Sequence, residues 1–347
     1  MIAAMATADR IASGQAAATA PQPAGQLPGQ LAGPAAGPRR VSGHVVRQGT
    51  HDRIPLGGMR VTLHRVGSDT AGPMDSLRTD GAGAFTFHYR PRGASDAVYF
   101  VSATYEGIAY FSQPLTAADV HGADAEITVF DTTSQPVALR VRGRHLIVSA
   151  PGAGGARSVV EVFELSNDTS VTLVSAPTSG DRPTWQTQVP PLAQQVRVGQ
   201  GDVSADAVTV AHGELEVFAP FAPGLKQISF TYTLPASAFP LVRPSPAGAS
   251  VMEILLEEPT ARVEAPRLRE VDPVAVEGRT FRRYLAQDIP AGGVTRVTVP
   301  IAAGDRRALY FAIVLTAIGA AMLGALARAF TRHPRPVVPL AGLESSR

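Results

Sequence analysis

Gln227-Ile228-Ser229-Phe230-Thr231-Tyr232-Thr233-Leu234 alternates polar and apolar side chains without a break, and Pro235 follows. Successive side chains of a β-strand point to opposite faces, so this run can bury Ile228, Phe230, Tyr232 and Leu234 on one side and turn Gln227, Ser229, Thr231 and Thr233 to the other. A helix, with its 3.6-residue period, would scatter the same residues around its axis. Proline lacks the amide proton that a sheet ladder uses, so the strand is expected to stop at Leu234.

The same period recurs upstream. Met59, Val61 and Leu63 alternate with Arg60, Thr62 and His64, and Phe85, Phe87 and Tyr89 form a second row. Between them, Thr79-Asp80-Gly81-Ala82-Gly83-Ala84 places glycines where a tight turn needs positive φ, which predicts a hairpin connection. Leu139 with Val141, Val160 with Val162, and Val171 with Leu173 are further inward candidates, and Trp185, the only tryptophan, is expected to fill the core they form. Composition agrees with this reading. Gly 33, Pro 29 and only 17% charged residues in 347 argue against long helices, while 45% hydrophobic residues supply enough apolar surface for packed cores.

The fold class read from these patterns is all-β: tandem β-sandwich modules followed by one C-terminal transmembrane helix. Residues 1–40, rich in Ala, Pro, Gly and Gln, offer too few large side chains to bury and read as a disordered tail. Residues 41–130 form a first sandwich. Residues 131–235 form a second of immunoglobulin-like type by strand number and spacing, although the cysteine pair of antibody domains is missing. Residues 236–303 are a β-rich, membrane-proximal segment with strand-like pieces at 251–256 and 294–299. Periodicity leaves open whether that segment completes the second module or forms a small third one.

Ala308–Phe330 carries no charge before Arg328. Its length as a helix is about 35 Å, against a hydrocarbon core of about 30 Å, so it predicts a single crossing. Tyr310 suits the interface, and Arg306, Arg307, Arg328, Arg332 and Arg335 bracket the span. Ala317, Ala321 and Ala325, with Ala320 and Gly324 beside them, make a strip of small residues against which a partner helix can pack. The partners implied are therefore the lipid bilayer and a membrane protein. The basic tail 331–347 slightly outweighs the arginines before the span, which favours a cytoplasmic C-terminus and extracytoplasmic, periplasmic β-modules. A tail anchor with cytosolic modules is the competing topology. Asp9 and Arg10 interrupt the apolar run expected of a signal peptide, although Ala18-Thr19-Ala20 has the look of a cleavage site.

The stretch 41–130 also resembles a known family. Ser42-Gly43-His44-Val45, Pro55-Leu56-Gly57-Gly58-Met59-Arg60-Val61-Thr62-Leu63, Thr79-Asp80-Gly81-Ala82-Gly83-Ala84-Phe85-Thr86-Phe87 and Val101-Ser102-Ala103-Thr104-Tyr105-Glu106-Gly107 are similar to the carboxypeptidase regulatory-like domain, a transthyretin-like β-sandwich. The resemblance implies a non-catalytic module that accompanies extracytoplasmic peptidases, receptors and surface proteins. It supplies no catalytic residue, and it covers about a quarter of the chain.

The residues that carry chemistry do not assemble into a recognisable constellation. With no cysteine, thiolate metal sites, disulfides and cysteine nucleophiles are excluded. A net charge of +2 gives no field suited to nucleic acid. His44, His51, His64, His88, His121, His145, His212 and His333 are scattered singly, and His212-Gly213-Glu214 lacks the helical register of zinc ligands. No Gly-x-Ser-x-Gly elbow occurs. Pro151-Gly152-Ala153-Gly154-Gly155-Ala156 lacks the lysine of a phosphate loop and reads as a hairpin loop. Glu253, Glu257 and Glu258 read as a solvated strand edge. The chain thus reads as a non-catalytic structural or binding accessory of the bacterial envelope, without cofactor or metal. A carbohydrate- or peptide-binding surface module is the alternative, and a hydrolase using His212 and Glu214 comes last.

Overall fold

The structure, a computed structural model, describes residues 37–176 and 182–300. The N-terminal module holds β1 (Arg39–Gln48), β2 (Arg53–Pro55), β3 (Arg60–Val66), β4 (Ala71–Arg78), β5 (Ala84–Tyr89), β6 (Val98–Tyr105), β7 (Ile108–Phe111), β8 (Asp119–His121) and β9 (Ile127–Val129). β1 pairs antiparallel with β2 and β5 and parallel with β8 and β9, making one sheet; β4-β3-β6-β7 is the other. Alternation puts Val41, Val45, Phe85 and Phe87 of the first sheet against Val61, Leu63 and Val101 of the second, in one buried core. Gly43 lets β1 pass close to the turn that ends at Ala125, since a Cβ there would fall 2.1 Å from the Ala125 carbonyl oxygen.

The turn at Thr79–Ala84 is present, but it does not close a hairpin. β4 pairs only with β3 and β5 pairs with β1, so the turn carries the chain from one sheet to the other. Asp80 Oδ1 accepts the amides of Ala82 and Ala84 at 2.9 and 2.8 Å, and Gly83 takes φ 77°. The intervening strand β4 escaped the sequence reading because its Ala-Gly-Pro-Met-Asp-Ser-Leu-Arg run has no apolar alternation; it is a largely exposed edge.

The second module contains β10 (Thr132–Thr133), β11 (Arg140–Val148), β12 (Arg157–Asn167), β13 (Thr172–Leu173), β14 (Trp185–Gln188), β15 (Gln194–Val198), β16 (Val208–Ala211) and β17 (Glu214–Val217). It continues through β18 (Gly224–Leu234), β19 (Leu241–Ser245), β20 (Ala249–Leu256), β21 (Arg262–Glu264), β22 (Arg269–Val276), β23 (Arg279–Ile289) and β24 (Gly293–Thr298). Its main sheet has seven strands in the order β15-β18-β12-β11-β20-β23-β22. Two three-stranded sheets, β14-β17-β16 and β19-β24-β21, supply Leu215, Val217, Leu241 and Val297 to the core that Val159, Phe163, Phe230 and Ile254 of the main sheet enter. β18 ends at Leu234, as Pro235 dictates.

The main sheet crosses the division expected at residue 235. β20 lies between β11 and β23, and Gly143–Val148 pair in parallel with Val251–Leu256, so strands from 236–300 complete the second module instead of forming a third. The parallel pair at its centre also departs from an immunoglobulin-like sandwich, whose sheets are antiparallel. The physical reason is visible in β20: Met252, Ile254 and Leu256 are buried on one face and Leu255 on the other, a strand covered on both sides. Trp185 is half-buried at the margin of this core, its ring 5.0 Å from Phe163 in an edge contact. Ser229, on the strand's polar face, is buried as well and donates to the Gln200 carbonyl.

A hydrogen-bonded seam ties the two modules across residue 130. Tyr105 donates to Asp131 Oδ1 at 2.9 Å, Thr132 N–H donates to Glu106 Oε2 at 2.8 Å, and the Tyr110 hydroxyl meets Thr172 Oγ1 at 2.8 Å. Helical structure among the described residues is limited to short 3₁₀ turns, and none is long and apolar enough to cross a membrane. The expected span 308–330, with Ala317, Ala320, Ala321, Gly324 and Ala325, lies outside the described residues, as do residues 1–36 and the basic tail.

Candidate functional site

The sheet β4-β3-β6-β7 buries one face and leaves the other open. Val61, Leu63 and Arg65 point inward, so Thr62, His64 and Val66 point out; the register then sets Ser102, Phe100 and Val98 of β6 opposite them, with Phe111 of β7 opposite Ser102. His64 stacks on Phe100 at 5.3 Å and 13° between planes, and Phe111 meets Phe100 edge-on at 5.6 Å and 72°. His64 Nε2 lies 2.8 Å from Ser102 Oγ. Partial burial of the imidazole favours its neutral form and lowers its pKa. Phe111 is 59% exposed, and Val66 and Val98 are 44% exposed. An uncharged aromatic row in water, braced by its neighbours, is the kind of surface that binds a partner by shape and apolar contact.

Phe100 and Phe111 were missed by the sequence reading. Tyr99-Phe100 are adjacent aromatics, and alternation alone says that one is in and one out without saying which; the inward place goes to Tyr99, whose hydroxyl donates to the Arg92 carbonyl. Three residue-glycine pairs at positive φ, Glu106-Gly107, His212-Gly213 and Glu277-Gly278, form two-residue hairpin turns. His212 is therefore an exposed turn residue, and its main-chain conformation explains its place beside Gly213. The stretch 151–156 is the hairpin loop between β11 and β12, as expected.

The carboxylates read as a solvated edge are instead paired. β20 is an interior strand, and Glu253 receives Arg283 Nε at 2.6 Å and His145 Nδ1 at 2.8 Å. Glu257 accepts the Ala150 amide at 2.8 Å, and Glu258 lies 2.6 Å from Arg157 Nη2. Glu164 approaches the other ring nitrogen of His145 at 3.8 Å, so a row of Glu164, His145, Glu253 and Arg283 runs across β12, β11, β20 and β23. The two carboxylates face opposite sides of the imidazole, and no group of metal-ligating side chains occurs among the described residues. Asp119, His121 and Asp124 line a shallow depression of about 310 Å³ open to solvent.

No family model matches the chain, and no curated protein matches it. Among solved structures, native leukotriene A4 hydrolase from Saccharomyces cerevisiae is similar at 14% identity, covering 48% of this chain and 31% of that one, with a TM-score of 0.29. The chain thus spans about a third of that protein's length, and a likeness at this score carries no argument about fold or activity.

Proposed function

We propose that this protein is a single-pass, membrane-anchored, non-catalytic accessory of the bacterial cell envelope, whose β-modules stand on the outer side and bind a membrane protein or another envelope component. The observation that carries this reading is the surface of half-buried His64 and Phe100 and exposed Phe111, on a sheet whose hairpin is tied into the seam between modules. On this reading, 308–330 is the anchor, the small-residue strip a helix-packing face, and 41–130 a carboxypeptidase regulatory-like module that presents the aromatic surface. Nucleic acid has no place in it.

Affinity recovery of the full chain from gently solubilised native membranes tests the proposal. A defined companion recovered with the wild type, and lost when Phe100 and Phe111 are both changed to Ser, is the expected result. Recovery of the protein alone, or a companion indifferent to that double change, would overturn it.

A further inference from the structure

The open end of the aromatic surface is also the open edge of its sheet. β7 pairs with β6 on one side and ends the order β4-β3-β6-β7 on the other. Several other sheet edges among the described residues are blunted. β4 carries Pro73 and a register shift, β22 carries Pro273 and a register shift, β15 carries a register shift, and β19 carries Pro244. Prolines and bulges on edges prevent unwanted strand pairing. β7, Ile108-Ala109-Tyr110-Phe111, has neither; β5 and β16 also lack both, but β7 is the one that carries Phe111 of the aromatic surface.

The register decides which way its main chain points. Ser112 N–H donates to the Val101 carbonyl at 2.9 Å, so Val101 and Ser112 are a hydrogen-bonded pair. Such pairs alternate along an antiparallel ladder. Ala103–Tyr110 is the next one, and Ala109 and Phe111 therefore turn their N–H and C=O groups away from β6, toward the open edge. Both residues are exposed, while Tyr110 between them is buried and hydrogen-bonded to the Phe130 carbonyl, which fixes the strand in place.

We infer that β7 accepts an extended segment of a partner polypeptide as an added strand, with an uncharged, bulky side chain of that segment seated beside Phe111 and Phe100. This rests on the binding surface proposed above and names its mode of recognition. Main-chain hydrogen bonds to Ala109 and Phe111 would supply affinity, and the aromatic row would select the side chain. Val66, Val98, Ala109 and Phe111 are all uncharged, which matches an uncharged peptide. A strand of four residues is about 13 Å long, too short an edge to bury the roughly 1,200–2,000 Å² of a stable protein dimer, so a short peptide fits it better than a second copy.

The test uses the full chain in detergent and a phage-displayed random dodecapeptide library, followed by fluorescence anisotropy with a selected synthetic peptide. Ala109→Pro removes an outward amide without touching the pairs to β6 and should weaken binding about tenfold, as should Phe111→Ser. Methylating the peptide's own amides should abolish binding at alternate positions only, a readout that stands even if Ala109→Pro misfolds. Binding weakened by Phe111→Ser but indifferent to peptide methylation overturns strand addition and leaves the surface in use. Peptides indifferent to both changes overturn both readings. A library that yields no Phe111-dependent peptide, with neutral polysaccharide binding in its place, overturns strand addition in favour of a glycan site.

Discussion

Glu161 and Arg243 approach to 2.8 Å inside the second module, with side-chain exposures of 0% and 2%. The Arg243 Nε–H does not lie on a hydrogen-bonding line, so this contact is ionic. Arg144 donates to the other carboxylate oxygen at 3.0 Å, and the Tyr232 hydroxyl donates to Oε1 at 2.7 Å. Arg144 also donates to the Pro244 carbonyl at 2.7 Å and to Ser245 Oγ at 2.8 Å. One carboxylate thus joins β11, β12 and β18 of the main sheet to β19 of a covering sheet. Burial alone would raise the pKa of Glu161, but Arg243 and Arg144 outweigh it and hold the group below its ordinary range. Burial and the nearby carboxylate push Tyr232 well above its own.

Removing that charge should be costly. Glu161→Gln leaves Arg144 and Arg243 in the core without their counterion, and the expected loss is about 3–5 kcal/mol, read from urea unfolding of the full chain in detergent. Adding Arg243→Met should restore part of the loss, because one of the two buried cations left without a counterion then goes too. A Glu161→Gln protein as stable as wild type would show that the cluster does not hold the sheets together.

Acid should unfold the protein through its paired carboxylates. Asp69 is held at about 2 by the hydrogen bond from Arg65 Nη2, and Glu253 is lowered chiefly by His145, with burial opposing and Arg283 assisting. A carboxyl depressed in the folded state stabilises it fully above its unfolded pKa, and that contribution is lost as pH falls toward the folded value. Thermal midpoints should therefore be level near neutrality and drop below the ordinary values of 3.8 for Asp69 and 4.5 for Glu161 and Glu253. A midpoint that rises on acidification contradicts this sign.

Gly43 and Gly72 make a matched pair. A methyl group at Gly43 meets the Ala125 carbonyl, whereas one at Gly72 meets nothing within 4 Å. Gly43→Ala should cost about 1–3 kcal/mol and Gly72→Ala almost nothing. Equal midpoints in thermal unfolding would refute the close approach of β1 to that turn.

At the hairpin turn, His212 and Gly213 take φ of 52° and 80°. Asparagine adopts that conformation more readily than histidine, so His212→Asn should be neutral or slightly stabilising, while Gly213→Ala should cost about 1 kcal/mol or more. Hydrolase screens should not respond to His212→Asn. A hydrolytic activity abolished by that change would instead give His212 a catalytic role.

Membrane topology can be read with one cysteine. Ser229 is buried and unsuitable, whereas Thr209 on the edge strand β16 is exposed. In spheroplasts, Thr209→Cys should react with a membrane-impermeant maleimide without lysis. Protection until lysis would support the tail-anchored arrangement.

The alternation from Gln227 to Leu234 was enough to establish strand, inward face and stop, because side-chain period and the missing proline amide act within a few residues. Rows such as Val61–Leu63 and Phe85–Phe87–Tyr89 were legible for the same reason. β12 was only half legible: Val162 is buried as expected, but the main core row is Val159, Phe163 and Leu165 with the charged Glu161 among them. No pattern of hydrophobicity selects a glutamate as a core residue when the arginines that neutralise it lie on β11 and β19.

Sequence by itself determined the class of the chain, all-β, and the faces of its clearest strands, since these follow from local geometry. Only the tertiary structure decided which strands meet: that Thr79–Ala84 joins two sheets, that β20 enters the centre of the main sheet, and that His64, Phe100 and Phe111 converge on an open face. Pairing between distant strands is set by the fit of whole sheets and by charges neutralised across them, and no window of neighbouring residues contains that information.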